Sequence, residues 1–230
     1  MEKTIDEKRA LDAVAAGFMT KVYGWMCFAL FVTAITAWYV SGSERILNYI
    51  FGNTAVLWIL LIAELGLVFV ISGMINKISY QTSTLLFVIY SLLTGVTLSV
   101  IFLVYTSESI ATTFGLTGLT FGAMSIYGFV TKKDLSSWGN ILLMALLGLV
   151  LATVVNIFWA NSMLYWITTY AGIIIFVGLT AYDTQKLKNM SLTVGEGESY
   201  NKLAILGALT LYLDFINLFL YLLRLFGRKK

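Results

Sequence analysis

Residues 203–224, LAILGALTLYLDFINLFLYLLR, form an apolar run that contains a single acid, Asp214. A helix needs about 20 apolar residues to cross the hydrocarbon core of a bilayer, so this run predicts a membrane-spanning helix. A carboxylate at the centre of such a helix costs roughly 2.5–3.5 kcal/mol on insertion. A second acid, Asp183, lies in the preceding apolar segment, in VGLTAYDTQKLK (177–188). Because two such acids are costly, we expect both to have a function.

The composition is that of an integral membrane protein. The chain of 230 residues is 59% hydrophobic and 12% charged, whereas soluble domains are about 25% charged. It has no histidine and one cysteine, Cys27, which excludes a His-ligated metal, an intrachain disulfide and a thiolate zinc site. We interpret Cys27 as a packing residue. We expect no cofactor, and the net charge of +3 suggests no nucleic-acid partner.

Six further apolar runs are long enough to span a bilayer. They are too long and too uniformly apolar for the strands of a membrane barrel, which alternate over about ten residues. The sequence therefore predicts an all-α membrane protein, a bundle of seven transmembrane helices. The predicted spans are roughly 21–41, 54–75, 82–105, 109–130, 137–159, 163–183 and 203–224.

The residues before the first run predict a separate N-terminal segment. Residues 1–20 mix acids and bases and have no apolar core, unlike a signal peptide. We therefore divide the chain into an N-terminal segment, 1–20, and a seven-helix transmembrane domain, 21–230. The first span is expected to be an uncleaved anchor. The longest link between spans is predicted at about 184–202.

The basic residues predict a cytoplasmic N-terminus, because Lys and Arg concentrate in cytoplasmic loops. With that orientation the outer loops between spans carry only Arg45. The inner segments carry Lys3, Lys8, Arg9, Lys21, Lys77, Lys132, Lys133, Lys186, Lys188 and Lys202. Seven full spans would leave a basic tail outside, so the side of the C-terminus stays open. The tail carries Arg224, Arg228, Lys229 and Lys230.

Small residues recur at the spacing of close helix contacts. Gly118 and Gly122 form a GxxxG pair in the fourth span, and Gly95 and Ser99 form a small-xxx-small pair in the third. Such pairs let helix backbones approach closely, so we expect helix packing at both places.

The seventh span carries a polar stripe at helical spacing. Its members are Thr210, Asp214, Asn217 and Tyr221. We expect this face to point into the bundle, toward Thr180 and Asp183, which share a face of the sixth helix. Helix direction places both aspartates in the cytoplasmic half. The candidate ion-pathway residues are therefore Thr180, Thr210 and Asn217, together with Glu64, an acid near the middle of the second span.

The aspartate pair has no lysine or arginine in mid-span to neutralise it. Two close carboxylates in a low dielectric share a proton rather than both ionising. This predicts a pH sensor in which protonation permits closure and deprotonation opens the pair or admits a cation. Carboxylate oxygens suit calcium, so transient calcium at Asp183 and Asp214 is expected. The alternative is two neutral carboxyls that hydrogen-bond helices together, and Asp134 is interpreted as a loop or N-cap acid.

Several segments resemble the Bax inhibitor-1 family of membrane proteins, in its bacterial branch. They are GLTAYDTQKLK (178–188) and ALTLYLDFINLFLYLLRLFG (208–227), with VYGWMCFALFVTAITAW (22–38) and YGFVTKKDLSSWGNILLMALLGLVLATVVN (127–156). The resemblance covers nearly the whole chain after about residue 18. Polar motif positions match, and not only the hydropathy.

The resemblance implies a seven-helix bundle in the bacterial inner membrane with the last helix central. It implies a pH-sensitive calcium leak gated by the pair that matches Asp183 and Asp214, with a possible role for the acid matching Glu64. Calcium ions, protons and the lipid bilayer are then the partners. In known calcium-leak relatives an arginine near the end of the second helix partners the pair. Here that stretch reads GMINKISY (73–80), without an arginine.

Two other functions remain open. Some bacterial relatives are associated with a membrane protease, which suggests a regulatory membrane protein that modulates such a protease or a stress response, with residues 1–20 as the contact. The remote alternative is an intramembrane aspartyl protease, since Tyr182 and Asp183 form a YD dipeptide and two aspartates that share a proton can activate water. Against it, the second acid lies in LYLD rather than GxGD, and the chain has no proline. We therefore expect no enzymatic activity.

Overall fold

The computed structural model describes residues 2–195 and 197–230, and side chains from residue 11 onward within those ranges. Glu196 and Met1 thus lie outside the described residues, as do the side chains of 2–10 in the predicted N-terminal segment. The described part of the chain folds into nine α-helices, with one isolated β-bridge between Tyr105 and Lys229. The helices are α1 (Glu2–Ser41), α2 (Glu44–Phe51), α3 (Thr54–Met74), α4 (Tyr80–Leu98), α5 (Ile101–Val104), α6 (Ser107–Val130), α7 (Ser136–Trp159), α8 (Ser162–Ser191) and α9 (Glu198–Phe226).

Seven segments of the described chain are long and apolar enough to cross a membrane, which confirms the predicted all-α, seven-helix class. They are Leu11–Ser41, Thr54–Met74, Tyr80–Val104, Ser107–Val130, Ser136–Trp159, Ser162–Ser191 and Glu198–Phe226. Helix α9 has the largest buried share, 72% of its most apolar window, as expected for an inner helix.

Several helices extend beyond the predicted spans. Helix α8 continues to Ser191 and α9 begins at Glu198, so the predicted link 184–202 is wrong and the real link is short. Six of the eight residues 184–191 are polar, but polarity marks where the apolar span ends and not where the helix ends. Glu198 favours the start of α9 because an acid in the first turn interacts well with the helix dipole. Helix α1 likewise runs without a break through the predicted boundary at residue 20.

The chain divides into two compact units. The first comprises Met1–Val104, Lys188–Tyr212 and Lys230, and the second comprises Tyr105–Leu187 and Leu213–Lys229. In the first unit, Tyr212 is fully buried and its ring meets those of Phe87 and Tyr90 edge to face. Its hydroxyl lies 2.7 Å from the Thr33 hydroxyl, which donates to the carbonyl of Ser91.

Aromatic and glycine contacts hold the helices of the second unit together. Phe114 packs edge to face against Phe215 and Phe219 of α9. Glycines allow close approach at several points: a Cβ on Gly128 would lie 2.2 Å from the Ala181 carbonyl oxygen. Gly139 and Gly172 similarly meet tyrosine rings of α8 and α9.

The small-residue predictions have mixed outcomes. Gly95 confirms its prediction, because a Cβ there would lie 2.7 Å from the Thr33 carbonyl oxygen. Gly118 and Gly122 are not at a close contact: a Cβ at either would meet no atom within 4 Å among the described residues. The GxxxG spacing is met, but that face of α6 does not turn toward a neighbouring helix. The packing interpretation of Cys27 is also wrong, because its side chain is exposed.

The C-terminal tail folds back on the segment that precedes α6. The Thr106 amide donates to the Arg228 carbonyl at 3.0 Å, next to the bridge between Tyr105 and Lys229. Helix α9 ends at Phe226. The tail that follows, residues 227–230, therefore lies beside the start of α6.

Candidate functional site

Asp183 of α8 and Asp214 of α9 meet inside the second unit. Their side chains are 9% and 5% exposed, and the two carboxyl groups lie within hydrogen-bonding reach of each other. The Oδ2 atom of Asp214 is buried and has no hydrogen-bond partner among the described residues. A buried polar atom without a partner is costly, so this oxygen is a place where a proton, water or cation would be stabilised.

Glycines of two neighbouring helices position the turn of α8 that carries Asp183. Gly128 of α6 lies against the backbone of Ala181, and Gly139 of α7 lies against the Tyr182 ring, where a Cβ would come within 2.3 Å of ring atoms. The two contacted residues, Ala181 and Tyr182, directly precede Asp183 in the sequence. The absence of side chains at the two glycines therefore sets how closely α8 approaches α6 and α7 at the site.

Gln185 fixes the same turn from its other side. Its Oε1 atom accepts a hydrogen bond from the Leu135 amide at 2.8 Å, and its Nε2 atom donates to the Lys133 carbonyl at 2.9 Å. The α6–α7 loop is thus tied to α8 two residues after Asp183. The sequence analysis missed Gln185, although its place two residues after Asp183 was visible; its burial became apparent only in the structure.

One basic side chain acts on the pair electrostatically. Lys186, an exposed residue on α8, interacts with Asp183, and its Nζ atom lies 5.8 Å from the centre of the Tyr182 ring. The i, i+3 spacing of Asp183 and Lys186 could have shown this. Within the described part of the chain, neither aspartate forms an ion pair.

Three other candidate pathway residues, Thr180 of α8 and Thr210 and Asn217 of α9, donate hydrogen bonds within their own helices. Each donates to a carbonyl one turn earlier: Thr180 to Phe176 at 2.7 Å, Thr210 to Leu206 at 3.0 Å and Asn217 to Leu213 at 2.8 Å. Tyr221 packs over Gly172 and stacks on Phe176. Asp214 is therefore the member of the stripe with an unsatisfied buried oxygen.

Glu64 belongs to the first unit, so the structure does not place it in the unit that holds the aspartate pair. It is half-buried, and its Oε1 atom accepts a hydrogen bond from Thr97 of α4 at 2.5 Å. This contact joins α3 to α4. As an ion-pathway residue Glu64 stays a prediction.

Asp134 has the local role that its position predicted. It lies in the loop before α7, and its Oδ1 atom accepts a hydrogen bond from the Ser136 amide at 2.9 Å. Hydrogen bonds from Ser136 hold the pKa of this exposed carboxyl below its ordinary value.

Comparison with known proteins identifies the family. The family model described as "Inhibitor of apoptosis-promoting Bax1" matches residues 15–230. The chain belongs to the Bax inhibitor-1 family. The inner membrane protein YbhL of Escherichia coli K12 is 55% identical over 215 residues, covering 93% of this chain and 92% of that protein. Uncharacterized proteins of Borreliella burgdorferi and Rickettsia prowazekii are 45% and 41% identical, covering 93% and 99% of this chain and 92% and 96% of theirs.

The chemistry of the pair in this Bax inhibitor-1 member follows from its two carboxyls. Within the described residues, no group of three or more acids, cysteines or histidines could hold a metal ion. Two carboxylates alone provide few of the six to eight oxygen ligands that calcium takes, so water would have to complete the shell of a passing ion. Two adjoining carboxyl groups can share a proton and can contact a cation.

Proposed function

We propose that this protein is a pH-sensitive cation leak of the bacterial inner membrane, with calcium as the ion, gated by protonation of Asp183 and Asp214. The observation that carries the proposal is the meeting of two buried carboxyl groups without an ion pair, one of them with an unsatisfied oxygen. The proposal assigns no enzymatic activity. The name of the E. coli relative, an inner membrane protein, supports the location.

A shared proton holds the two helices together in the closed state. When that proton is present, one carboxyl donates to the other and the pair carries a single negative charge. Loss of the proton leaves two charges, and charges about 4 Å apart repel by about 4 kcal/mol at an effective dielectric constant of about 20. This repulsion favours either separation of α8 from α9 at the site or entry of a cation between the carboxylates.

The contacts around the pair suggest which helix moves. Near Asp183, α8 is held by Gly128, Gly139 and Gln185, which connect it to α6, α7 and the loop between them. Asp214 lies on α9, where its neighbours Phe215 and Phe219 contact the Phe114 ring through side chains alone. We infer that α8 is the fixed partner and that α9 shifts when the pair ionises.

The orientation that we propose has a cytoplasmic N-terminus, because the basic residues concentrate on that side of the seven spans. Asp183 then lies toward the cytoplasmic end of α8. The gate would respond to cytoplasmic pH, and the leak would admit calcium when the cytoplasm is alkaline.

The test is calcium flux into vesicles that contain the purified protein and a calcium-sensitive dye, measured across a range of pH. We expect flux to rise with pH in the wild type and this dependence to vanish in Asp183→Asn and Asp214→Asn. Asp134→Asn is the matched control, because it removes the same charge from an exposed loop. If both pair variants reproduce the wild-type flux at every pH, the gate does not exist.

A second candidate function is regulation of a membrane protease or stress response through the N-terminal segment. The observation that favours it is the length of α1, which has 40 residues and extends about 60 Å, twice the thickness of a hydrocarbon core of about 30 Å. Leu11 and Val14 on this helix are exposed.

Deletion of residues 1–20 separates this function from the leak. The regulatory function predicts that a co-purifying partner is lost while calcium flux survives. A full-length protein that shows no flux but retains a partner would support regulation alone. Flux without any partner would reject it.

A further inference from the structure

A cavity of about 360 Å³ opens at the end of the second unit where α6 begins. Its polar lining includes Arg228 from the tail and Glu108 and Thr113 from α6. Its apolar lining includes Leu116 and Phe226, which are 39% and 60% exposed. The volume is at the small end of the range of about 300–1,000 Å³ for ligand pockets.

The backbone holds Arg228 in place at the rim of this cavity. Its amide donates to the Ser109 hydroxyl at 2.9 Å, and its carbonyl accepts from the Thr106 amide at 3.0 Å. Both partners lie at the start of α6. The guanidinium therefore extends from a fixed point, although the side chain itself is exposed.

Two of the polar groups that line the cavity carry opposite charges, whereas the Ser109 and Thr106 hydroxyls already accept hydrogen bonds from backbone amides. Among the residues that the structure describes, neither the Arg228 guanidinium nor the Glu108 carboxylate forms an ion pair, although both line the same space. Thr113 also lines the cavity and is 3% exposed, and its backbone carbonyl accepts a hydrogen bond from the Thr117 hydroxyl at 2.7 Å. A cation, an anion and a buried hydroxyl around one cavity fit a ligand that carries charges of both signs.

The position of the cavity indicates where such a ligand comes from. Ser107 begins one helix of membrane-crossing length and Phe226 ends another. Because the ends of such helices reach the edge of the hydrocarbon core, we infer that the cavity lies at the level of the lipid headgroups. Exposed Leu116 and Phe226 provide apolar contact on the membrane side of the charged groups. A phosphate is favoured by Arg228 and by the positive end of the α6 dipole, although the Thr106 hydroxyl already caps the Ser109 amide in that turn.

We propose that this cavity binds the headgroup of an aminophospholipid. The phosphate lies against Arg228 and the start of α6, and the ammonium lies against Glu108. The Thr113 hydroxyl bonds to a headgroup oxygen, while the glycerol and first acyl carbons contact Leu116 and Phe226. Along α9 this site is about 18 Å from Asp214, at about 1.5 Å per residue over twelve residues, so it is separate from the aspartate pair.

Lipid retention by the full-length protein tests the proposal. Native mass spectrometry compares phosphatidylethanolamine, phosphatidylglycerol and phosphatidylcholine with identical acyl chains. We expect phosphatidylethanolamine to be retained best. If the basic tail attracted lipids by charge alone, the anionic phosphatidylglycerol would be retained best instead. Glu108→Gln should reduce the preference for ethanolamine by a factor of about 5, the upper end for an exposed ion pair.

The variants separate a built site from general attraction to lipid. Arg228→Gln should weaken retention of all three lipids, whereas Lys229→Gln removes the same charge from the same tail but does not line the cavity and should change nothing. Equal retention of the three lipids, or equal effects of Arg228→Gln and Lys229→Gln, would overturn the proposal. Soluble phosphoethanolamine that binds as well as the lipid would overturn the assignment to a membrane ligand. Because Arg228 and Glu108 are exposed, thermal unfolding should be unchanged in both variants.

Discussion

We expect the substitution Gly128→Ala to have two effects: it should lower the stability of the protein, and it should displace Asp183 relative to Asp214. The new Cβ would lie 2.2 Å from the Ala181 carbonyl oxygen and 2.9 Å from two further backbone atoms of Ala181. Real Cβ contacts essentially never fall below 3.0 Å, so α6 and α8 must separate by about 0.8 Å, the difference between 3.0 and 2.2 Å. Backbone atoms cannot rotate away as a side chain does, so the displacement passes to Asp183, two residues along α8.

The magnitude follows from comparison with Gly118→Ala on the same helix, where a Cβ meets nothing within 4 Å of the described structure. Both substitutions gain about 0.5–1 kcal/mol of helix propensity. Overpacking adds a cost of about 1–3 kcal/mol at Gly128 alone. The difference between the two variants therefore isolates the α6–α8 contact, and a difference of about 2 kcal/mol corresponds to roughly 4–8 °C in Tm.

Gly139→Ala provides an intermediate case in the same assay. Its Cβ would meet the far end of the Tyr182 side chain, which can turn at a smaller cost than a backbone can move. Thermal unfolding of the purified protein should therefore rank the variants Gly118→Ala, Gly139→Ala and Gly128→Ala in order of decreasing Tm. Equal Tm values for Gly128→Ala and Gly118→Ala would show that the close α6–α8 contact does not exist, and the account of how Asp183 is positioned would fail.

Three other perturbations test separate contacts. Gln185→Leu removes the acceptor of the buried Leu135 amide, at a cost of about 1–3 kcal/mol, and should speed hydrogen exchange at that amide; unchanged exchange would contradict the hydrogen bond. Tyr212→Phe removes the hydroxyl that meets Thr33 and should cost about 0.5–1.5 kcal/mol in thermal unfolding, whereas the same change at the exposed Tyr127 should cost nothing measurable. Asp134→Ala should loosen the start of α7 at neutral pH, seen as faster exchange of the amide that its carboxylate accepts from. Because the folded pKa of Asp134 is lowered, its contribution is present above the unfolded value of about 3.9 and is lost as pH falls through the folded pKa, so wild type and variant should converge in acid.

The number and class of the helices were predictable from the sequence because each depends on local properties. Apolar runs of bilayer length can satisfy their backbone groups in a membrane only as helices, so seven runs predict seven spans. The helix ends were less predictable, as α8 and α9 show. Their polar extensions continue the helix past the apolar span, and hydropathy carries no signal for that boundary.

The sequence also determined that Asp183 and Asp214 are unusual, because a carboxylate is costly in an apolar helix wherever that helix packs. It likewise determined the absence of histidine and of mid-span cations. These conclusions need only the identity of each residue and its neighbours along the chain.

Only the tertiary structure decided which side chains meet. Gly118 and Gly122 have the spacing of a packing motif, but a Cβ on either would meet no other described helix within 4 Å. Gly128 and Gly139 lack that spacing and lie against α8 beside Asp183. Helix rotation and tilt are set by the sum of all side-chain contacts, so no single helix encodes which of its faces is covered. For the same reason the meeting of two carboxyls on different helices, and the unsatisfied oxygen of Asp214, became visible only once the helices were packed together.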